Sequence, residues 1–465
     1  MLPRRVLLLL AAAFLLRLIH LGAPPVGYSS WRQADTAAIA RNFHENGYRF
    51  LYPQVDWGGA GEGYVESEFP VYPFAVSLLY GLFGVSESAG RLLSALCAAA
   101  AIAFLFILVR RTIDERTAFW SAAAFAFLPL NVYYGGAFMP ESALLMCLVL
   151  AVLFFERWAA GRGPAALAAA ALFTALAGLL KLPSLYIGGP LVFLAWRAHG
   201  PRFLLKPSLW AFAAAVLLPV GLWYAHAHRL AAEGGVSFGI WEYGTDKWGN
   251  WDLVFTAAFW EKILLKWLAE RHLAFAGSVL LAAGLALRRR TGGERLYDVW
   301  CLSLLVYVVI AAKGNYVHEY YLLPAMIPVS VFIGKLLARH ATGPPRLAGR
   351  RMVLGILVAA TGVLGAVRYA SYLAAEDSDG SDLVRLAERV KEETAPGDLV
   401  IAVDGGNPTL LYLCHRKGWH AHPDDLTPDF VSDRIGSGAR YIIGLERDAG
   451  AEAVVVDLRK APQTR

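Results

Sequence analysis

The chain has 465 residues, of which 57% are hydrophobic and only 17% are charged. Soluble domains carry about 25% charged residues, so this chain has too little polar surface to cover a water-facing globule of its size. The composition therefore predicts a membrane protein and excludes a secreted disulfide scaffold, a nucleic-acid module and a disordered chain. The four cysteines are far apart in sequence, which argues against a disulfide framework or a thiolate metal site.

Apolar runs that cross, or nearly cross, about 30 Å of hydrocarbon recur along the chain. They lie at 6–21, 88–109, 117–134, 140–156, 164–182, 184–196, 208–228, 272–287, 296–312, 321–338 and 352–373. The first resembles a signal peptide, but Arg17 and the later runs favour an uncleaved anchor. The pattern predicts an all-α polytopic protein with about eleven transmembrane helices.

The basic residues between these runs predict the orientation. If Arg4 and Arg5 lie inside, eighteen basic residues fall in inner segments, whereas the 23–72 segment on the other side is rich in acidic residues. Lysine and arginine favour the cytoplasmic side of a membrane. The expected location is therefore the cytoplasmic (inner) membrane, with the first long loop and the C-terminus on the outer, periplasmic face.

Residues 374–465 then form a small extracytoplasmic α/β domain beside a transmembrane domain of residues 1–373. A polar linker is expected at 376–382, followed by an amphipathic helix over 381–394. Strands are expected at 399–403, 441–445 and 454–458. The histidine pairs at 226/228 and 420/422 do not match the usual zinc spacings, so we expect them to be solvated or interfacial.

The first outer loop, 23–72, is unusually long for a connector, which suggests function. Ser30-Trp-Arg-Gln33 has the form of a capping box and predicts a helix from Trp31 to Asn46, with Gly47 just beyond its end. We expect this helix to lie flat on the membrane and to direct Asp35 toward a membrane-side cavity. The alternative is an exposed Arg32–Asp35 pair with no catalytic role.

Further polar residues are expected at the same outer face. Each one alone is most simply a side chain that reaches water from the end of a span. Their collection on one side argues for an outward-facing polar cavity. The set comprises Glu66, Glu68, Tyr133, Tyr134, Glu141, Lys181, Lys313, His318, Tyr320 and Tyr321.

Five segments within residues 1–375 together resemble the motifs of a known family, both in their order along the chain and in the side of the membrane on which they are expected. They are Trp31-Arg-Gln-Ala-Asp35, Glu68-Phe-Pro-Val-Tyr72-Pro, Gly90-Arg-Leu-Leu-Ser-Ala-Leu96, Met139-Pro-Glu-Ser142 and His318-Glu-Tyr-Tyr-Leu-Leu-Pro324. The chain resembles the C-type glycosyltransferases. It is most similar to the bacterial branch related to dolichyl-phosphate-mannose protein mannosyltransferases and lipid A aminoarabinose transferases.

This resemblance implies transfer of a hexosyl or pentosyl group from a polyprenyl-phosphate donor to an acceptor outside the cytoplasm, with inversion at the anomeric carbon. Asp35 matches the family's catalytic aspartate, and Glu141 matches its second acidic position. Tyr320 or Tyr321 matches a phosphate-contacting tyrosine. Lys181, Lys313 and His318 are further candidates for phosphate contacts, chosen for their charge and their expected place on the outer side of the membrane. Glu68 and Tyr133 complete the expected substrate-binding set.

The chain also departs from these relatives. Thr36 stands where the mannosyltransferases have a second acidic residue, and Glu68-Phe-Pro70 stands where the aminoarabinose transferases have Lys-Pro-Pro. The acceptor therefore stays open among a glycolipid, a surface polymer and a protein. No obligatory metal or other cofactor is expected, although a divalent ion between Asp35, Glu68 and Glu141 is an alternative.

The partners expected are the lipid-linked donor, the acceptor and membrane lipid, with no nucleic acid. The competing function is a transporter or lipid flippase with an outward-facing polar cavity. A transporter should show paired halves, broken helices near the midplane or charges deep within its spans. These features are weak in the sequence, so an enzyme is favoured.

Overall fold

The structure is a computed structural model that describes residues 2–240, 248–340, 348–446 and 452–459. Within these ranges the chain is mostly helical, with one small sheet near the C-terminus. The helices before the sheet are α1 Arg4–Arg17, α2 Ser30–Glu45, α3 Val71–Phe83, α4 Glu87–Thr112, α5 Glu115–Phe127, α6 Pro129–Gly136, α7 Glu141–Ala159, α8 Pro164–Leu180, α9 Gly188–His199, α10 Pro207–Gly234, α11 Trp251–Val254, α12 Ala257–Trp260, α13 Ala276–Leu285, α14 Gly292–Ile310, α15 Ala312–Val317, α16 Met326–His340 and α17 Ala348–Glu393. A π-helix, Glu261–His272, precedes α13, and 3-10 turns precede α9, α10 and α16.

Every apolar run predicted from the sequence coincides with helix, but not always with one unbroken helix. Among the described residues, five helices are long and apolar enough to cross a membrane: Glu87–Thr112, Glu141–Ala159, Pro207–Gly234, Glu319–His340 and Gly349–Ala375. The pair Ala257–His272 and Ala276–Leu285, bent by 110°, would be a sixth. The chain is thus a multi-pass membrane protein, while the figure of eleven spans stays a prediction.

Two local features explain where the helices differ from the sequence pattern. The 117–134 run divides into α5 and α6 because Leu128, which precedes Pro129, is extended and not helical. The helix α3 was missed, although it is apolar, because its 13 residues are short for a span.

The polar segment at 376–382 is not a linker, because α17 continues through it for 46 residues in total. Its last turns carry Leu386, Ala387 and Val390, which are buried against the C-terminal sheet. Burial of that face outweighs the weak helix propensity of the Ser, Asp and Gly residues, which costs less than about 1 kcal/mol each.

The C-terminal sheet has four strands where the sequence predicted three. The strands are β1 Leu399–Val403, β2 Gly418–Ala421, β3 Ala439–Glu446 and β4 Glu452–Asp457, in the order β2-β1-β3-β4. β1 runs parallel to both β2 and β3, and β4 is antiparallel to β3. The short helices α18 Thr409–Cys414 and α19 Pro428–Gly436 connect the strands. β2 was missed because four residues that include a glycine and a histidine give no strand pattern.

The helix α2 has the predicted extent but not the predicted surroundings. It ends at Glu45, and Gly47 beyond it has a positive φ, as expected for a helix stop. Nearly all of its residues are buried, because α3 packs on one side of it and α18 of the C-terminal domain packs on another. Protein therefore covers two sides of α2, and its orientation on the membrane stays a prediction.

The capping box predicted at the start of α2 does not form. The cap residue is Ser29, in a left-handed conformation and without a side-chain cap bond. Ser30 Oγ instead accepts a hydrogen bond from Asn407 Nδ2 at 3.0 Å, and Gln33 Oε1 accepts one from the backbone N–H of Phe138. These two polar side chains tie α2 to its neighbours and not to its own backbone.

Candidate active site

Asp35 lies on the buried part of α2. Its carboxylate accepts a 2.9 Å hydrogen bond from the indole Nε1 of Trp57, and the residue is only 2% exposed. Arg32, one turn earlier, forms its ion pair with another residue. The reading of Arg32 and Asp35 as an exposed surface pair is therefore wrong.

Burial controls the acidity of Asp35. Loss of water around the carboxylate raises its pKa from 3.8 to about 7, with a smaller rise from nearby Asp56. The Trp57 hydrogen bond and the charge of Arg32 act in the opposite direction. A carboxylate with a pKa near neutrality can take and release a proton at physiological pH.

Two ion pairs lie at the cavity next to α2. Arg32 Nη2 lies 2.7 Å from Glu68 Oε2, and Lys181 Nζ lies 3.3 Å from Glu141 Oε1. Burial works to raise the pKa of Glu68, but the Arg32 charge and hydrogen bond, with Lys181, hold that pKa below its usual value. The two pairs place two fixed cations at one site.

Two tyrosines complete the surroundings of Lys181. Its ammonium lies 3.8 Å from the ring centroid of Tyr321 and 4.8 Å from that of Tyr320. The His318 ring stacks at an angle on both tyrosines, with centroids 5.3 and 5.2 Å away. The residues from 318 to 321 thus approach Lys181, more than 130 positions earlier in the chain.

These groups line one cavity of about 70 Å³. Its polar lining includes Arg32, Glu68, Lys181, His318, Tyr320 and Tyr321, and its apolar lining includes Trp31, Phe238 and Trp248. Glu141 contacts the cavity lining through its ion pair with Lys181. Asp35 lies next to this lining, since Trp57 stacks 6.4 Å from Phe238 and Arg32 lies over the same Phe238 ring.

Two of the predicted substrate-binding residues are placed elsewhere. The Tyr133 hydroxyl donates to the backbone carbonyl of Tyr28, and its ring packs 4.8 Å from that of Tyr372. Lys313, on α15, is half-buried and is not part of the cavity lining, although its neighbour Gly314 is. The structure therefore brings together Glu68, Glu141, Lys181, His318, Tyr320 and Tyr321, whereas Tyr133 and Lys313 are not among the residues that line this cavity.

The structure adds two residues that the sequence reasoning did not assign. Arg32 was considered only as a surface partner of Asp35, although its place one helical turn away on an overlong outer loop was a usable signal. Trp57 gave no signal, because a tryptophan in a loop has no periodic pattern around it.

The carboxylates proposed for a divalent ion each have another partner. Asp35 bonds Trp57, Glu68 pairs with Arg32, and Glu141 pairs with Lys181. In the part of the chain that the structure describes, no three His, Cys, Asp or Glu side chains form a cluster that could hold a metal ion. Each of these carboxylates thus has a partner within the protein, and the metal dependence of the site stays a prediction.

Comparison with known proteins places this geometry in a known fold. The sequence model of the dolichyl-phosphate-mannose-protein mannosyltransferase family matches residues 67–224, about a third of the chain. ArnT from Cupriavidus metallidurans, in a crystal structure bound to undecaprenyl phosphate, superimposes with a TM-score of 0.68 at 14% identity, covering 95% of this chain and 93% of that one. The fold is that of the C-type glycosyltransferases.

A second structure extends the comparison. The archaeal oligosaccharyltransferase AglB from Archaeoglobus fulgidus, in complex with an inhibitory peptide and a dolichol-phosphate, has a TM-score of 0.58 and 13% identity, over 95% of this chain and 69% of that one. No curated protein matches the chain by sequence. At these identities the likeness establishes the fold, and the reaction must be argued from the site.

Proposed function

We propose that this protein is an inverting glycosyltransferase that moves a sugar from a polyprenyl-phosphate to an acceptor hydroxyl outside the cytoplasm. The observation that carries the proposal is the placement of Asp35, with its near-neutral pKa, beside a cavity that holds Arg32, Lys181 and two tyrosines. The structures of ArnT with undecaprenyl phosphate and of AglB with a dolichol-phosphate support a lipid phosphate as the leaving group.

In the proposed reaction the acceptor oxygen attacks the anomeric carbon as the bond from that carbon to the phosphate oxygen breaks. Asp35 takes the proton of the acceptor hydroxyl, which prevents a positively charged oxygen in the product. Because the Asp35 carboxylate is almost completely buried, acceptor binding must open a path to it from the cavity.

The leaving lipid phosphate changes from a diester to a monoester and gains negative charge. Lys181 and Arg32 are held in place by Glu141 and Glu68 before the phosphate arrives. Fixed cations stabilise a developing charge without having to reorganise during the reaction. Arg32 thereby supplies a positive charge next to Glu68, at the segment where the related aminoarabinose transferases have a lysine.

The acceptor is a glycolipid, a surface polymer or a protein side chain, and the site lies on the outer face of the membrane that carries the chain. Comparison of the surface glycans of cells with and without the gene would identify the acceptor class. Nuclear magnetic resonance of the product would show whether the anomeric configuration is inverted.

The test of the proposed function is single-turnover transfer from a polyprenyl-phosphate sugar by purified protein. Asp35→Asn preserves the shape of the side chain and still accepts the Trp57 hydrogen bond, but it cannot take a proton. We expect donor binding to persist and transfer to fall by about 10²-fold or more. A variant within a few-fold of wild type would remove Asp35 from the mechanism.

A further inference from the structure

A segment of the first outer loop pairs with the edge of the C-terminal sheet. The backbone N–H of Gly59 donates to the carbonyl of Gly418 at 2.8 Å, and the N–H of Gly418 donates to the carbonyl of Asp56 at 3.0 Å. Gly418 begins β2, which is an edge strand of the sheet. Residues 56–59 thus form a turn that is hydrogen-bonded to the outer edge of β2 at Gly418, which fixes the loop backbone.

Side chains on both sides reinforce this pairing. Arg41 of α2 forms a buried ion pair with Asp56 at 2.5 Å and also donates to the carbonyl of Tyr412 on α18. Asn42 Nδ2 donates to the other carboxylate oxygen of Asp56 at 3.0 Å. The helix that carries Asp35, the loop and the C-terminal domain are thus joined at one buried point.

Trp57 is the residue that this pairing holds in place. Its ring lies 4.9 Å from the ring of His420 on β2, and its indole N–H bonds Asp35 Oδ1. Gly59 lies against Trp419, since a Cβ at that glycine would come within 2.6 Å of the indole nitrogen of Trp419. The loop and β2 are therefore in close contact on both sides of Trp57.

We propose that the C-terminal domain is part of the catalytic apparatus, with Trp57 as a positioning residue that β2 holds against the Asp35 carboxylate. This inference rests on the proposed function, in which Asp35 is the general base. The indole N–H donates a hydrogen bond to Oδ1 and fixes the plane of the carboxylate. The other oxygen, Oδ2, is then the one that takes the acceptor proton. The same hydrogen bond stabilises the ionised carboxylate, which keeps Asp35 able to accept a proton near pH 7.

The same contact affects the pH dependence of transfer. Arg32 on α2 and Asp56 on the loop act on the Asp35 carboxylate directly. Three further charged or titratable groups contact its neighbours: Glu68 pairs with Arg32, Arg41 pairs with Asp56, and His420 on β2 contacts Trp57. Burial and the neighbouring His422 lower the pKa of His420. The indole bond favours the ionised carboxylate, and its removal should raise the pKa of Asp35 further.

The experiment compares pH profiles of single-turnover transfer by the full-length protein. In wild type we expect the rate to rise with pH through a midpoint near 7, as Asp35 loses its proton. Trp57→Phe retains an aromatic ring against His420 but removes the N–H. We expect its midpoint to rise by about one pH unit, so that the rate is about tenfold lower at pH 6 and nearly restored at pH 9.

A second pair of variants tests the contribution of the C-terminal domain without touching Trp57. Gly59→Ala places a Cβ against Trp419 and should separate the loop from β2, whereas Gly61→Ala in the same loop meets only an ordinary 3.4 Å contact. Gly59→Ala should move the midpoint in the same direction as Trp57→Phe, and Gly61→Ala should leave it unchanged. His420→Phe should keep the wild-type midpoint, because it retains a ring against Trp57 and leaves the indole N–H bonded to Asp35.

The outcomes separate this inference from the proposed function. If Asp35→Asn abolishes transfer while Trp57→Phe and Gly59→Ala keep the wild-type midpoint, the positioning role is wrong and the function stands. A loss of activity that high pH does not restore in either variant would also refute this role, because a weaker hydrogen bond to Asp35 alone should be offset once the carboxylate is ionised at high pH. If Asp35→Asn transfers normally, the proposed function itself fails.

Discussion

The buried position of Asp35 predicts that the proposed catalytic residue reduces the stability of its own protein. In an unfolded chain an aspartate has a pKa near 3.8, whereas burial raises that of Asp35 to about 7. Between these values the folded state binds a proton that the unfolded state does not. The free energy of unfolding therefore falls as the pH rises through this window.

The magnitude follows from the difference between the two pKa values. About three pH units correspond to about 4 kcal/mol of stability that is present below pH 4 and lost above pH 7. Asp35→Asn removes the ionisation and still accepts the Trp57 hydrogen bond. The variant should therefore be more stable than wild type above pH 7, by up to about 4 kcal/mol, and equally stable below pH 4.

Thermal unfolding in detergent or lipid nanodiscs, followed from pH 4 to pH 9, measures this effect. For a chain of this length we expect an apparent Tm on the order of 4 °C higher for Asp35→Asn at pH 8. The matched control is Asp424→Asn, an exposed aspartate in the C-terminal domain. Equal melting of Asp35→Asn and wild type at pH 8 would refute the burial of an ionisable carboxylate at this position.

Three further predictions concern the phosphate, the domain contact and the topology. Lys181→Met or Tyr321→Phe should lower single-turnover transfer, for Lys181 by about 2–4 kcal/mol of transition-state stabilisation, and unchanged rates in both variants would place the phosphate elsewhere. Arg41→Met leaves the buried Asp56 carboxylate without its ion-pair partner and should destabilise the protein by about 3–5 kcal/mol. Denaturant unfolding measures this loss, and a value below about 1 kcal/mol would show that the pair is not buried. A cysteine at exposed Ser437 should react with a membrane-impermeant thiol reagent in intact cells or spheroplasts, and labelling only after lysis would reverse the orientation.

The sequence alone determined the class of protein and selected several of the residues that line the cavity. Long apolar runs exclude a soluble chain because hydrocarbon requires long apolar helices, and that requirement is visible in one dimension. The order of the motifs then indicated the fold, and the comparisons confirm it. Lys181 was selected by side and charge, and Tyr320 or Tyr321 by the family resemblance. The structure places the Lys181 ammonium within 5 Å of both tyrosine rings.

Tertiary structure decided which partner each of these side chains has. Arg32 and Asp35 are three residues apart, a spacing that permits a pair, yet Arg32 bonds Glu68 and Asp35 bonds Trp57. A buried carboxylate must find a donor wherever the fold brings one, so its partner is not predictable from sequence spacing.

The position of the C-terminal domain was likewise beyond the sequence. Hydropathy predicted strands and an amphipathic helix, but it gave no sign that Gly418 on a four-residue strand would pair with the loop at Asp56 and Gly59. Backbone hydrogen bonds between distant segments leave no composition signal, because every residue type except proline can make them. Only the folded chain therefore shows that this domain reaches the neighbourhood of Asp35.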